Sequence, residues 1–140
     1  MMNHKLAMVG IALVFCSFYL YSASAADCSD IWVDAEDIAL AGNETDYFYF
    51  PVHNAGDVEF DVYEVAAYKE QSSDPFTVSV TDYSDELEPY DEGEITVRVE
   101  TEGVSHDESG DAYIKVRGYF DGGPYCSFTE IGKTCFEVTV

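Results

Sequence analysis

Residues 48–62 read FYFPVHNAGDVEFDV, and this stretch decides the fold class of the chain. Apolar side chains occupy every second position over 48–52 and again over 58–62, and residues 53–56 between them have the composition of a turn. Successive side chains of a β-strand point to opposite faces, so a period of two gives a strand one apolar face. The stretch therefore predicts two β-strands joined by a turn, each with one face to bury.

The same alternation continues on both sides of this stretch. Two short apolar pairs, Ile31–Val33 and Ile38–Leu40, precede it, and later alternating segments cover residues 76–80, 95–99, 112–118 and 136–140. The apolar positions shift by one between the two pairs, which predicts a first strand whose halves belong to different sheets. A second shift at Val65 predicts a bulge or a crossing between sheets.

These segments amount to seven strands at regular spacing. Each strand has one apolar face, and two facing sheets bury all of these faces together. We therefore predict an all-β fold, a seven-stranded immunoglobulin-like antiparallel β-sandwich, formed as a single domain by residues 26–140.

The first 25 residues have a different character. After a weakly basic start, the 16 residues from Leu6 to Tyr21 are apolar and carry no charge, and Ala23-Ser24-Ala25 supplies the small residues of a cleavage site. A bilayer span needs roughly 20 apolar residues. We predict that residues 1–25 are a signal peptide cleaved after Ala25, with an uncleaved N-terminal anchor as the alternative. The domain is then secreted or at the cell surface, with no membrane contact beyond this segment.

The predicted domain is strongly acidic. Residues 26–140 contain all 28 acidic residues and only five basic ones, a net charge of −23. Disordered acidic chains lack aromatic residues, whereas this chain is 15% aromatic. A folded domain with carboxylates at its solvent-facing positions is expected of a protein that works in high salt, and a calcium-rich acidic surface is the alternative. The same charge repels nucleic acid and anionic lipid, which excludes both as partners.

Two stretches together resemble a known class of domain: residues 48–62, quoted above, and residues 87–99, which read LEPYDEGEITVRV. They resemble the strand–turn–strand signature and the Pro-Gly-Glu element of archaeal and bacterial surface modules of the CARDB and NEW3 type. Residues 111–118, DAYIKVRG, are similar to the penultimate strand of such modules. The resemblance implies an immunoglobulin-type surface module with an adhesive, spacer or stalk role, and it carries no catalytic residues over to this chain.

Three cysteines, Cys28, Cys126 and Cys135, fall in the predicted domain. Exported domains favour disulfides, and in immunoglobulin topology the first strand starts at the end where the last two strands are joined. We expect the disulfide Cys28–Cys126, with Cys126–Cys135 as the alternative. The remaining thiol predicts an intermolecular bridge, a free thiol, or a buried Cys135 that packs as a small apolar residue beside Phe136.

The sequence contains little that indicates a metal, cofactor or catalytic site. His53 and His106 lack the spacing of a zinc site, so we predict no metal and no cofactor. The loop at 106–111, HDESGD, offers three carboxylates and is the alternative, a calcium or ligand site. No Gly-x-Ser-x-Gly elbow is present and no carboxylate pair stands out, so we predict no catalytic residues and no enzymatic activity.

Two further features concern the surface. Asn43-Glu44-Thr45 is a glycosylation sequon in a predicted turn, which makes Asn43 a candidate glycosylation site. Tyr47, Tyr49, Tyr113 and Tyr119 alternate with the aliphatic core positions. Such a stripe is either a binding surface or ordinary solvent-side strand chemistry, and we favour the second interpretation.

These observations together predict a non-enzymatic extracellular structural or adhesive module, adapted to high salt, that mediates protein–protein contact at the cell surface. Its expected partners are surface or secreted proteins, including a second copy of itself, bound through exposed strand edges. The alternative function is a secreted calcium- or ligand-binding module that uses the acidic loops.

Salt distinguishes these two functions. Raising the salt concentration from about 0.1 M to about 1 M shortens the Debye length from about 10 Å to about 3 Å. We expect the free energy of unfolding, measured by urea titration, to rise over this range because repulsion among the carboxylates is screened. Millimolar calcium at constant ionic strength should add nothing. A calcium-specific gain would instead favour the calcium-binding module.

Overall fold

The structure is a computed structural model that describes residues 26–101, 103 and 108–140. Its strands are β1 (Ile31–Val33), β2 (Ile38–Ala39), β3 (Thr45–Asn54), β4 (Phe60–Lys69), β5 (Phe76–Tyr83), β6 (Glu86–Leu87), β7 (Glu92–Thr101), β8 (Ser109–Phe120), β9 (Tyr125–Cys126) and β10 (Lys133–Thr139). A 3₁₀ turn at Cys28–Asp30 and a short helix α1 at Phe128–Ile131 complete the elements. No helix within these described ranges is long and apolar enough to cross a membrane.

The strands form two sheets that face each other. Sheet 1 has the order β1-β3-β7-β5, and sheet 2 has the order β2-β10-β8-β4-β6, with β9 paired to β8. Neighbouring strands are antiparallel except β2 and β10, which are parallel. The predicted all-β immunoglobulin-like sandwich is therefore confirmed.

The predicted number of strands is wrong, since the described residues form ten strands rather than seven. The extra strands β6 and β9 contain two residues each, and a pair of residues carries no alternation that a sequence pattern can reveal. The first strand divides as expected, because β1 pairs with β3 in sheet 1 whereas β2 pairs with β10 in sheet 2. A bulge follows Val62, where the pairing of β4 with β8 shifts register, close to the parity change predicted at Val65.

Phenylalanine side chains dominate the core between the sheets. Phe50 of sheet 1 lies against Phe136 of sheet 2 with ring centroids 5.1 Å apart, and Phe60 meets Phe120 edge-on at 4.9 Å. All four side chains are buried, together with most of the aliphatic residues at alternate positions of the long strands. Complete burial of one such side chain stabilises a fold by about 1.5–3 kcal/mol, so the interior faces of the strands supply most of the stability.

Asn54 fixes the turn between β3 of sheet 1 and β4 of sheet 2. Its buried side-chain amide donates to the carbonyl oxygens of Val58 at 2.8 Å and Leu87 at 3.1 Å, and its carbonyl oxygen accepts from Gly56 N at 3.0 Å. A buried amide with all of its hydrogen bonds made holds its neighbours in one geometry. Asn54 therefore ties the turn after β3 to strand β6, which is distant in sequence.

Gly118 is required where β8 passes the bulge of β4. A Cβ atom at this position would lie 2.1 Å from the carbonyl oxygen of Asp61 and 2.7 Å from the Phe60 ring. We expect Gly118→Ala to lower the free energy of unfolding by about 1–3 kcal/mol or more, because backbone atoms must move to admit the methyl group. Gly123→Ala, whose new Cβ lies no closer than 3.0 Å to Phe120, is the matched control. Equal denaturation midpoints for the two variants would contradict this account.

Candidate interaction surfaces

Cys28 and Cys126 form a disulfide with Cα atoms 5.6 Å apart, so the alternative pairing of Cys126 with Cys135 is wrong. The bond connects the 3₁₀ turn before β1 with strand β9, and the two cysteines are 98 positions apart in the sequence. A cross-link of that length contributes about 3–5 kcal/mol by restricting the unfolded chain. The disulfide therefore fixes the segment before β1 of sheet 1 to β9 of sheet 2.

Helix α1, which follows this disulfide, was not foreseen from the sequence. Ser127 accepts a hydrogen bond from Glu130 N at 3.2 Å, and the Glu130 carboxylate in turn accepts from Ser127 N at 3.3 Å. This reciprocal arrangement is a capping box, and the spacing Ser-x-x-Glu was the sequence signal for it.

Cys135 lies exposed on the outer side of β10 with a free thiol. Its burial beside Phe136 is the wrong alternative, because Phe136 points into the core and adjacent strand residues point to opposite sides. Partial desolvation, followed by the nearby carboxylates of Asp111 and Glu70, raises the pKa of the Cys135 thiol above its usual value. A raised pKa keeps the group a neutral thiol rather than a reactive thiolate.

Two predicted sites, the glycosylation site at Asn43 and the calcium loop at 106–111, stay predictions. Asn43 lies exposed in the turn between β2 and β3, with a positive φ of 55° that asparagine tolerates. Its glycosylation stays a prediction. The calcium loop predicted at 106–111 begins with His106 and Asp107, which lie outside the described residues, and that prediction also stays open.

Three other carboxylates meet where β4 and β6 come together. Oxygen atoms of Glu59, Glu86 and Glu88 lie within 4.8 Å of one another. Repulsion from Glu88, then desolvation and the charge of Glu86, raises the pKa of Glu59 above its usual value. The sequence alone did not reveal this group, because it depends on the pairing of Phe60 with Leu87 across two strands.

The outer face of sheet 1 carries exposed aromatic side chains. Tyr47 and Tyr49 point outward from β3, as the alternation predicted. Trp32 of β1 stacks on His53 of β3 with ring centroids 4.0 Å apart and an angle of 15° between the rings. His53 Nδ1 lies 3.4 Å from a carboxylate oxygen of Glu92, which holds the imidazole under the indole.

The outer face of sheet 2 differs because it concentrates cations among tyrosines. We use the name tyrosine face for the surface formed by Tyr63, Tyr68, Tyr113, Tyr119, Tyr125 and the side chains between them. Three of the five basic residues of the domain lie on it: Lys115, Arg117 and Lys133.

Each of these cations lies over an aromatic ring. Lys115 Nζ is 5.0 Å from the centroid of Tyr68, Arg117 is 4.7 Å from Tyr63, and Lys133 is 4.1 Å from Tyr113. Lys133 thereby helps to cover Tyr113, which is only 8% exposed, so the expectation of an open solvent-side tyrosine is wrong at that position. The Glu70 carboxylate and burial raise the pKa of Tyr113 to about 12, so its hydroxyl stays protonated.

Strand β5 forms a free edge of sheet 1. It pairs with β7 on one side, and no other strand of the described residues pairs with its second side. Residues 76–81, FTVSVT, carry no charge. Beside this edge lies a groove of about 490 Å³, whose lining includes Ala67, Tyr68 and Val78. Lys69 closes one end, since its Nζ donates to the carbonyl oxygen of Phe76 at 2.9 Å.

The sequence matches no family model and no curated protein. Among solved structures, the secreted serine protease VesC from Vibrio cholerae aligns with a TM-score of 0.52 and 8% identity, over 79% of this chain and 22% of that one. The VesB protease of the same organism aligns with a TM-score of 0.53 and 10% identity, over 79% of this chain and 32% of that one. The E. coli chaperone DraB aligns with a TM-score of 0.45 and 17% identity, over 79% and 54% of the two chains.

These matches correct one prediction from the sequence. The absence of recognisable catalytic motifs led us to expect no enzymatic activity, and we withdraw that expectation because two of the solved structures with this fold are secreted serine proteases. The present chain spans 22% and 32% of the lengths of those proteases. At identities of 8% and 10%, the likeness shows a shared fold and nothing about a shared reaction.

Proposed function

We propose that this chain is an extracellular protein-binding module that works in high salt and recruits an extended segment of a surface or secreted partner protein to the edge of β5. The observation that carries the proposal is the unpaired, uncharged edge presented by residues 76–81. An exposed strand edge offers a row of backbone donors and acceptors, and a partner segment satisfies them by adding one more strand to the sheet.

The lack of charge at this edge matters in a domain with a net charge of −23. Soluble proteins commonly protect their free edges with charged side chains or proline, which oppose the addition of a strand. Residues 76–81 contain neither. Carboxylates elsewhere on the surface oppose random association, whereas residues 77–80, between the Lys69 contact at Phe76 and the bulge that separates Val80 from Asp82, offer an uncharged backbone edge to an uncharged segment.

The neighbouring groove adds selectivity to the edge. In strand addition the backbone gives affinity, and pockets for alternate side chains give specificity. Ala67, Tyr68 and Val78 provide apolar surface in the groove of about 490 Å³. The preferred partner is therefore an extended segment with small or medium-sized apolar side chains at alternate positions.

Several sequence features support an extracellular setting. The signal segment predicted at 1–25 directs export, and the Cys28–Cys126 disulfide is of a kind that persists in oxidising compartments. The resemblance to CARDB and NEW3 surface modules favours the same location. We also propose that Asn43, exposed in its turn, is glycosylated in the mature protein.

Site-specific photo-cross-linking tests the binding edge. A benzophenone amino acid placed at Thr77 or Thr81 of β5 should cross-link a partner protein in the native envelope or medium. The same probe at Tyr49, which is 61% exposed on the inner strand β3, should give no adduct and is the matched control. In the purified adduct, hydrogen exchange of the β5 amides should slow, because added backbone hydrogen bonds protect them.

Two outcomes would contradict strand addition at β5. One is an adduct at Tyr49 as abundant as those at Thr77 and Thr81. The other is an adduct at the β5 positions whose β5 amides exchange at the same rate as in the free protein, which would show side-chain contact without an added strand.

The intact mass of the native protein, measured without reductant, tests export and modification. We expect a chain that begins at Ala26 and is two hydrogens lighter than its sequence mass, because one disulfide has formed. Glycosylation at Asn43 should add a mass that disappears in Asn43→Gln. Detection of the chain with residues 1–25 retained, confined to the envelope, would contradict cleavage and favour the uncleaved anchor.

A further inference from the structure

We propose that the tyrosine face binds a second copy of this chain, with a two-fold axis along the row formed by Tyr68, Tyr113 and Cys135. This surface lies on sheet 2 and shares Tyr68 with the groove beside the β5 edge, and the inference goes beyond the proposed function without depending on it. The register between neighbouring strands determines which side chains lie beside one another on this face.

Strand pairing aligns the outward side chains of β4, β8 and β10 into rows. Tyr68 pairs with Tyr113, and Tyr113 pairs with Cys135, which makes the middle row. On one side of it, Lys115 pairs with Lys133, and we call these two the lysine row. On the other side Asp111 pairs with Glu137, and we call these two the acidic row.

The two charged rows are arranged symmetrically about the middle row. On β8, Asp111 and Lys115 lie two residues before and after Tyr113, and on β10, Glu137 and Lys133 lie two residues after and before Cys135. Alternate residues of a strand are about 7 Å apart, so each charged row lies about 7 Å from the middle row. The face is therefore positive on one side of the middle row and negative at the same distance on the other side.

A surface with this inversion is complementary to itself. Rotation by 180° about an axis along the middle row places a second sheet face to face with the first, with its strands antiparallel to their counterparts. Lys115 of each copy then lies opposite Asp111 of the other, and Lys133 lies opposite Glu137. Dimers with two-fold symmetry use one patch on both subunits, and that patch must be complementary to itself.

A second feature of the face agrees with the same axis. Arg117 lies four residues beyond Tyr113, so the rotation places it over Ser109 of the other copy. Ser109 borders an acidic pocket of about 230 Å³, which Glu70, Asp74 and Asp111 also line. One carboxylate oxygen of Asp74 is buried without a hydrogen-bond partner among the described residues, and it lies beside Gly110 on the core-facing side of β8. The Arg117 guanidinium pairs with Glu64 of its own chain at 2.7 Å, and in the dimer it would also face the carboxylates of Asp111 and Glu137 that line this pocket.

The charge pattern favours a second copy over an unrelated acidic partner. An acidic protein would pair with the lysine row but would meet repulsion at the acidic row only about 7 Å beyond the middle row. The exposed tyrosines are also typical of interfaces, where tyrosine is enriched. Tyr63 and Tyr119 are 60% and 48% exposed in the single chain.

The experiment compares charge-reversed variants of the protein by analytical ultracentrifugation. It is run at about 1 M salt, where a Debye length of about 3 Å screens the repulsion between whole domains. Lys115→Glu with Lys133→Glu, and separately Asp111→Lys with Glu137→Lys, should each raise the dimer dissociation constant by about 100-fold or more, because each places like charges opposite one another. A mixture of the two variants should form a heterodimer, since its facing rows are again complementary.

Net charge alone makes the opposite prediction for one of these variants. The Asp111→Lys, Glu137→Lys variant is less negative than the wild type, so relief of general repulsion would strengthen its dimer rather than weaken it. Glu92→Lys with Glu94→Lys, on the outer face of sheet 1, has the same net charge and is the matched control. It should retain the wild-type dimer. Near-ultraviolet circular dichroism of each variant separates loss of the dimer from loss of the fold.

The native thiol at Cys135 reports the position of the axis. A bismaleimide with a linker of about 8 Å should join two copies through Cys135, since facing sheets pack about 10 Å apart, beyond the reach of a direct disulfide, and each thiol adds across one maleimide double bond. Cys135→Ser should abolish the covalent product but leave the dimer intact. A wild-type protein that stays monomeric at all concentrations would overturn the proposal. So would a dimer that neither charge variant weakens.

Discussion

Contact between the apolar faces of the two sheets is the interaction on which the rest of this structure depends. Phe50 of sheet 1 and Phe136 of sheet 2 meet across it with ring centroids 5.1 Å apart. Because every second residue of a strand faces this interior, the remaining half of each strand is free to carry charge. A domain with a net charge of −23 is compatible with a well-packed core only because period-two alternation separates the two sets of side chains so completely.

A few interactions at the ends of the sandwich then hold the sheets in one arrangement. The disulfide between Cys28 and Cys126 joins the segment before β1 of sheet 1 to β9 of sheet 2. Asn54 ties the turn after β3 to Leu87 of β6 through a buried amide hydrogen bond of 3.1 Å. Gly118 lets β8 pass close to the bulge of β4. Each acts at a point where regular pairing stops, so each determines geometry that alternation leaves open.

The arrangement of the strands determines which side chains the outer face of each sheet carries. The scarce cations Lys115, Arg117 and Lys133 lie together over tyrosine rings on sheet 2, whereas sheet 1 presents Trp32, Tyr47 and Tyr49. Cation–π contacts of this kind are worth about 0.5–1 kcal/mol at exposed sites, and they hold long side chains flat against the sheet. The strand edge at β5 remains uncharged between these two faces. The domain therefore offers distinct surfaces within a common acidic background.

The sequence by itself determined the fold class, the split first strand, the approximate site of the bulge, and the side of the strand on which Tyr47, Tyr49, Tyr113 and Tyr119 lie. These are local properties, because the face on which a residue lies depends only on its parity within the strand. Residue spacing and topology also favoured the Cys28–Cys126 pairing. Tertiary structure alone decided the two-residue strands β6 and β9, the Glu59–Glu86–Glu88 group, and the rows that bring Lys115 beside Lys133 and Asp111 beside Glu137. The physical reason is that these features depend on the register between strands far apart in sequence, and alternation within one strand carries no information about its neighbour's register.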